Sequence, residues 1–321
     1  MRSVSAWFKR YALQLAVLVI VIVAMYALYP GFRVEASIER IIPLGVIAAG
    51  LAVTMIAGEL DLSIASMAAL AGAITVSLSG LGLVLSLLIA IVACTLLGML
   101  QGWAIAKLGI NSLVFTVGTL LLIRGLTWLV CGGLSISVED YTASDIFLGK
   151  VLVYLSPLST TAIVILIALG IFLARTRWGR ELYALGSSRT EAIAAGVRYK
   201  RGMVVAFGIS AGCGAVGGAL TSAVSGSASP SALESMLVLG IAAALVGGIS
   251  LAGGRGTMVN VFLGFAIISV LSAGLAGMGS KAFVAQLVTG ILLLLIVLAG
   301  YFIGRVSERG RRQRLKRLVE V

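Results

Sequence analysis

Histidine is absent from all 321 residues, which removes the commonest general base and every imidazole metal site. The three cysteines, Cys94, Cys131 and Cys213, stand far apart, without the paired spacing of a zinc site or a disulfide framework. No segment has the GxxxxGKS/T form that cradles phosphates, and no Ser or Cys nucleophile has an imidazole to activate it. The chain is therefore not expected to be an enzyme or to bind a cofactor itself. Charge is scarce as well: only 11% of residues are charged.

What fills the chain instead is apolar, at 60% of all residues, more than a soluble core needs. Tyr11 to Tyr29 and Leu287 to Gly300 are nearly free of charge, and a helical crossing takes roughly 20 apolar residues. Membrane barrels are excluded, because their short strands alternate apolar and polar positions whereas these runs are continuous. The expectation is an all-α integral membrane protein of about ten transmembrane helices, near residues 11–29, 41–58, 62–79, 82–105, 113–131, 157–175, 203–224, 235–252, 257–276 and 282–301. The first run is long and lacks a small-residue cleavage site, so it reads as an uncleaved span rather than a signal peptide.

The net charge of +12 is concentrated at Arg2, Lys9 and Arg10, at Arg175 to Arg201, and at Arg305 to Arg317. All three clusters flank apolar runs, so the positive-inside rule makes them cytoplasmic, and membrane lipid rather than nucleic acid is the expected partner of the tail. An even number of spans puts both termini on that side, and six spans before it put the middle cluster there too. Residues 1–304 then form one transmembrane domain with a loop at 176–201, followed by a basic tail at 305–321. The same parity sends Gly132 to Ser156, with Glu139, Asp140 and Asp145, to the outside together with Ser225 to Glu234, and leaves Gly58–Ser63 and Gly253–Gly256 near the cytoplasmic face.

Forty glycines imply close helix approach, since helices in lipid associate through small residues. Gly208, Gly212, Gly214, Gly217 and Gly218 mark the seventh span as the clearest case. GELDLS and GGISLAGGRG each form a glycine-marked polar break between spans of the same parity, a hint of an internal repeat.

Two carboxylates and one guanidinium stand out, because ionisable groups at membrane depth are costly and usually functional. Glu59 and Asp61 either form the ion or proton site of a secondary transporter, or sit at a cytoplasmic turn at the water boundary with Asp61 capping a helix that begins near Leu62; the capping arrangement is the cheaper. Arg124 lies inside a span and must face the bundle interior or reach an interface, an ion pair or carbonyl contacts being its bland role. Lys281 and Glu234 lie at external span ends and can snorkel to water.

The segment from Arg175 to Arg201 is a charged island in this oily chain. Ser188 followed by Glu191 reads as a capping box, hydroxyl and carboxylate each satisfying a free N–H at a helix start, and Gly196 supplies a stop. A helix of about two turns is marginal alone, so it is expected to lean on a partner and to act as a docking surface.

Several segments resemble one family. GELDLSIASMAALAGA at 58–73, NSLVFTVGTLLLIRGL at 111–126, TRWGRELYALGSSRTEAIAAGV at 176–197, GSASP at 226–230 and LAGGRGT at 251–257 are similar, in order, to segments of the permease subunits of ATP-binding cassette importers for ribose, galactose, xylose and related sugars, within the branched-chain amino acid/monosaccharide permease superfamily. Glu59 and Ala65 stand where glycines are frequent in that family, and Ser187 and Ser188 where Gly and Asn are common. The resemblance implies a complex of two permeases (two copies or paralogues), a separate ATPase carrying ATP and Mg, and a periplasmic solute-binding protein, in the bacterial inner membrane. It also implies a short cytoplasmic coupling helix between the sixth and seventh transmembrane helices. The candidate coupling residues are Tyr183, Gly186, Ser188, Arg189, Glu191, Ala192 and Gly196. Those for translocation or gating are Glu59, Asp61, Ser63, Thr116, Thr119, Arg124, Ser227, Ser229 and Pro230.

Overall fold

The computed structural model describes residues 2–33, 42–138, 156–281, 283–296 and 298. Its helices are α1 (Arg2–Leu28), α2 (Ile42–Ile56), α3 (Ile64–Ser77), α4 (Leu83–Leu108), α5 (Ser112–Val130), α6 (Pro157–Arg175), α7 (Arg177–Ser187), α8 (Arg189–Ala194), α9 (Tyr199–Ser225), α10 (Glu234–Gly247), α11 (Met258–Gly277) and α12 (Phe283–Ile296). Two short strands, β1 (Ile136–Ser137) and β2 (Ser227–Ala228), pair antiparallel. Glu139, Asp140, Asp145 and the tail at 305–321 lie outside the described residues.

Side-chain caps start several helices: the Asn111 side chain accepts from Leu113 N–H (2.9 Å), Ser156 from Ser159 N–H (3.2 Å), Thr176 from Gly179 N–H (3.0 Å) and Thr257 from Asn260 N–H (3.3 Å). Each satisfies a donor the helix itself cannot.

The bundle is organised around α9, which packs on α4, α3 and α2. Ile64, Ala68 and Gly72 of α3 lie against Gly214, Gly218 and Ser222 of α9, so these two helices run parallel. A Cβ at Gly218 would overlap the Ala68 carbonyl oxygen; here glycine is a condition of the contact. Gly98 and Gly102 of α4 meet Phe207 and Met203, so α4 runs antiparallel to α9. The glycine-rich seventh span is thus the central helix. By contrast α4 and α5 expose apolar side chains outward, Leu129 at 77% and Leu122 at 61%, a surface suited to lipid rather than water.

Each described helix except α7 and α8 overlaps one of the expected spans, with different bounds and lengths. Five described helices are long and apolar enough to cross a membrane, or six if α6 and α7, bent by 76°, are taken together. Four others, α2, α3, α10 and α12, are apolar but shorter. The shortening has a cause in α2, α3 and α10: they end or begin at glycine-marked breaks, with Gly58 at φ +80° and Gly248, Gly253 and Gly254 at +98°, +82° and +67°. Helix–break–helix therefore occurs twice, as α2–α3 and α10–α11, at the two segments that hint at a repeat.

The island differs from expectation. It holds two helices, not one: α7 buries Gly179, Leu182, Leu185 and Gly186 on one face, and α8 follows it directly. Ser188 Oγ does accept from Glu191 N–H (3.4 Å), but the return half of the capping box is absent. Ser188 N–H is already donated to the Ala184 carbonyl of α7 (3.1 Å), leaving nothing for the Glu191 carboxylate to satisfy.

Candidate functional site

Three backbones meet at the end of α7. Gly254 N–H donates to the Ile56 carbonyl (2.9 Å), joining the two breaks. Gly186 is wedged against this bond: a Cβ there would overlap Ile56 O and lie 2.6 Å from Gly254 N. A Cβ at Gly253 would sit 2.6 Å from Gly186 O and 2.8 Å from Gly58 Cα. No side chain separates the end of α7 from either break, so α7 bears on both through backbone alone. The Tyr183 hydroxyl reinforces the seat by donating to Gly256 O (2.7 Å).

Beside this junction Glu59 is ion-paired with Arg189 of α8. The Tyr199 hydroxyl, at the start of α9, donates to the same carboxylate (3.2 Å), and the Arg189 guanidinium stacks 4.5 Å over the Tyr199 ring. Glu59 is only 6% exposed at its side chain whereas Arg189 is 52% exposed. Its carboxylate thus depends on partners within the protein, while Arg189 has one face in and one face out. The pair borders a cleft of about 520 Å³ whose wall includes Asn111, Ser112 and Leu251.

Deeper in, Asp61 is 1% exposed, which corrects the expectation of a turn at the water boundary. The chain turns at the exposed Gly58 and then runs back inside as a non-helical stretch to the middle of α9. There one Asp61 oxygen accepts from Ser63 N–H (3.0 Å), Ser63 Oγ (2.6 Å) and Gln101 Nε2 (3.3 Å), and the other from Ser210 Oγ (2.7 Å). Asp61 does cap backbone at this helix start: it accepts from the N–H of Ser63, the residue before α3 begins at Ile64. The backbone of the stretch is satisfied by α5: Leu60 N–H donates to Ser112 Oγ (3.3 Å) and Thr116 Oγ1 donates to Leu60 O (3.2 Å). Non-helical chain inside a bundle requires such partners. Ser63 Oγ and Gln101 also bond to each other, so the four groups around Asp61 form one connected polar cluster.

At the other end of α5 a second polar spot appears. Arg124 is ion-paired with Glu234 at the start of α10, so Glu234 does not simply snorkel as expected: the two helices bring a cation and an anion face to face. The pair borders a cavity of about 180 Å³ completed by Ala65, Ser66 and Ala69 of α3, Leu120, Pro230 and Leu237.

The structure thus brings Glu59 to Arg189, Asp61 to Ser63, Thr116 to the break, and Arg124 to Pro230. Thr119 donates to Thr116 O within its own helix (3.3 Å), and the hydroxyls of Ser227 and Ser229 meet the nearby hydroxyls of Ser225 and Ser231. Glu191 and Gly196 lie exposed on or just after α8, whose buried residue is Ala192. Gln101, Ser210, Tyr199 and Ser66 escaped the sequence reading, which had Gly58 and Gly253 only as marks of the two breaks. A lone amide inside the apolar run of α4 was a usable signal for Gln101; nothing local distinguishes Ser66 or Ser210 from other helix serines.

A profile of the family described as branched-chain amino acid transport system / permease component matches residues 33–297. The chain is 30% identical to the xylose/arabinose import permease protein of Sulfolobus acidocaldarius, over 94% of this chain and 88% of that one. It is 28% identical to the ribose import permease protein of Escherichia coli, over 92% and 94%, and 31% identical to that of Haemophilus influenzae, over 81% and 82%. No solved structure matches it.

Proposed function

We propose, from the premise that this chain belongs to the branched-chain amino acid transport system / permease component family, that it is the permease subunit of an ATP-binding cassette importer and forms the membrane path for a monosaccharide or sugar-like solute. The names of the relatives, import permeases for xylose/arabinose and for ribose, support the solute class. ATP and Mg belong to a separate ATPase subunit, a binding protein delivers the solute from outside, and a second permease, copy or paralogue, completes the path. Ten crossings, with the three basic clusters on the cytoplasmic side of a bacterial inner membrane, are the topology that fits the charge bias.

The observation that carries this reading is the seat of Gly186 between Ile56 and Gly254. In this mechanism the ATPase grips the exposed face of α7 and α8 and displaces them as a unit. Because Gly186 bears on backbone, the displacement passes without slack to both breaks, and the helix pairs α2–α3 and α10–α11 switch between outward- and inward-facing arrangements. Packed interfaces change between discrete states rather than deforming smoothly.

Reconstitution of this chain in vesicles with its ATPase and binding protein tests it. Uptake of labelled D-ribose or D-xylose is expected to require all three components and ATP, and to survive a protonophore. Uptake that persists without ATP and collapses with the protonophore would overturn the reading in favour of a secondary transporter with Glu59 and Asp61 as its ion site.

A further inference from the structure

We infer that the cavity between α3, α5 and α10 is a monosaccharide subsite in which Arg124, Glu234 and Ser66 hold the hydroxyls of the solute. The inference rests on the reading of this chain as a sugar permease. Its starting point is an ion pair that stability alone does not explain. The side chains of Arg124 and Glu234 are 36% and 45% exposed, and half-exposed pairs contribute little to folding. The other ion pairs among the described residues both involve the island helices. This one instead faces a cavity.

The chemistry of the wall selects the solute. A carboxylate only accepts hydrogen bonds and a guanidinium only donates them, so the two side by side offer an acceptor next to a donor. Neighbouring hydroxyls of a sugar, each able to do both, match that couple. The Ser66 hydroxyl, on the buried face of α3, adds a third group of either sense. Leu120, Leu237 and Pro230 present apolar surface for the C–H face of the ring. The pair is neutral as a whole, so a solute with a single net charge would set like against like on one side. At about 180 Å³ the cavity is below the roughly 300–1,000 Å³ of sites for drug-sized ligands, which leaves room for one small solute and not for a disaccharide. A zwitterionic amino acid is the competing ligand, since its two charges could also straddle the pair.

The test uses the full chain in lipid vesicles with Cys94, Cys131 and Cys213 replaced by Ser and a reporter introduced as Leu237→Cys. The rate of maleimide labelling is read with D-ribose, D-xylose, maltose or L-leucine added. The two monosaccharides are expected to slow labelling, and maltose and leucine to leave it unchanged. Glu234→Gln and Arg124→Gln should each raise the half-protecting sugar concentration about tenfold, a loss of ~1.4 kcal/mol, with protection read relative to each variant's own sugar-free rate and the thermal unfolding midpoint of each variant in detergent as the check on the fold. Ser66→Ala, a smaller change, should raise it in the same direction. Protection by leucine and not by the monosaccharides, or protection by none of them, overturns the subsite. Uptake measured in parallel with the ATPase and binding protein present separates the two failures: sugar uptake without protection leaves the permease reading standing, and no sugar uptake removes it as well.

Discussion

Arg189, on the six-residue helix α8, is ion-paired with Glu59, 130 positions earlier in the break between α2 and α3. One partner lies on the charged island and the other on the non-helical stretch that leads into the bundle. Tyr199 touches both, so the break, α8 and the start of α9 are fastened at one point beside the Gly186 seat. If the island is where a partner pushes, this pair is a second path by which the push reaches the interior.

Breaking the pair is therefore expected to uncouple before it unfolds. Arg189→Glu sets two carboxylates against each other and should lower uptake about tenfold, an effect of ~1.4 kcal/mol, while ATP hydrolysis by the assembled complex continues. The double variant Glu59→Arg with Arg189→Glu should recover a good part of the loss. Uptake and hydrolysis measured on the same vesicles check this, and failure of the double variant to recover would count against the pair as a link.

Gly186→Ala and Gly196→Ala should behave differently although both change a glycine at the island. At 186 the added methyl overlaps the Ile56 carbonyl and crowds Gly254 N, and forcing atoms into a packed contact costs typically ~1–3 kcal/mol. At 196 nothing lies within 4 Å, and the cost is only the positive φ of +87°, about 1 kcal/mol. Uptake normalised to the amount of permease in the membrane should fall severely for the first and slightly for the second.

Asp61→Ala should destabilise more than Ser210→Ala. The first leaves the donors of Ser63, Gln101 and Ser210 without their shared acceptor in a buried place; the second removes one of four bonds. A hydrogen bond to a charged group is worth ~1.5–3 kcal/mol, so thermal unfolding in detergent should shift measurably for Ser210→Ala and by a larger amount for Asp61→Ala. Equal shifts would mean that the cluster does not act through the carboxylate.

Trimming Glu191 isolates the partner contact from the fold. Its carboxylate has no capping role, while Ser188 Oγ caps α8, so Ser188→Ala should cost ~1 kcal/mol and Glu191→Ala almost nothing in thermal stability. If the exposed face of α8 docks on the ATPase, Glu191→Ala should still lower ATP-driven uptake. Stability and uptake measured together on the two variants give opposite rank orders under this view.

Much of this molecule was legible along the chain. The apolar runs located the helices because burial in lipid demands continuous apolar surface over a fixed length, and the Ser188 cap could be read because it acts on backbone two or three residues away. The glycine-rich run at 208–218 marked the central helix for the same kind of reason: close approach needs small residues wherever it happens. Helix α7 was missed since its arginines masked the Leu182–Leu185–Gly186 face that buries it. The depth of Asp61 was missed because a turn at the surface and a stretch that re-enters the bundle have the same local sequence.

The sequence by itself determined the class of protein, the segments that become helices and the position of a charged, capped island between them. Those follow from short-range rules, in which each residue's surroundings are lipid, water or its own backbone. Only the tertiary structure decided that Gly186 seats between Ile56 and Gly254, that Glu59 meets Arg189, and that Arg124 meets Glu234 over a cavity of sugar size. Such contacts join residues scores of positions apart. They depend on how whole helices lean, cross and break, which no spacing within a single segment encodes.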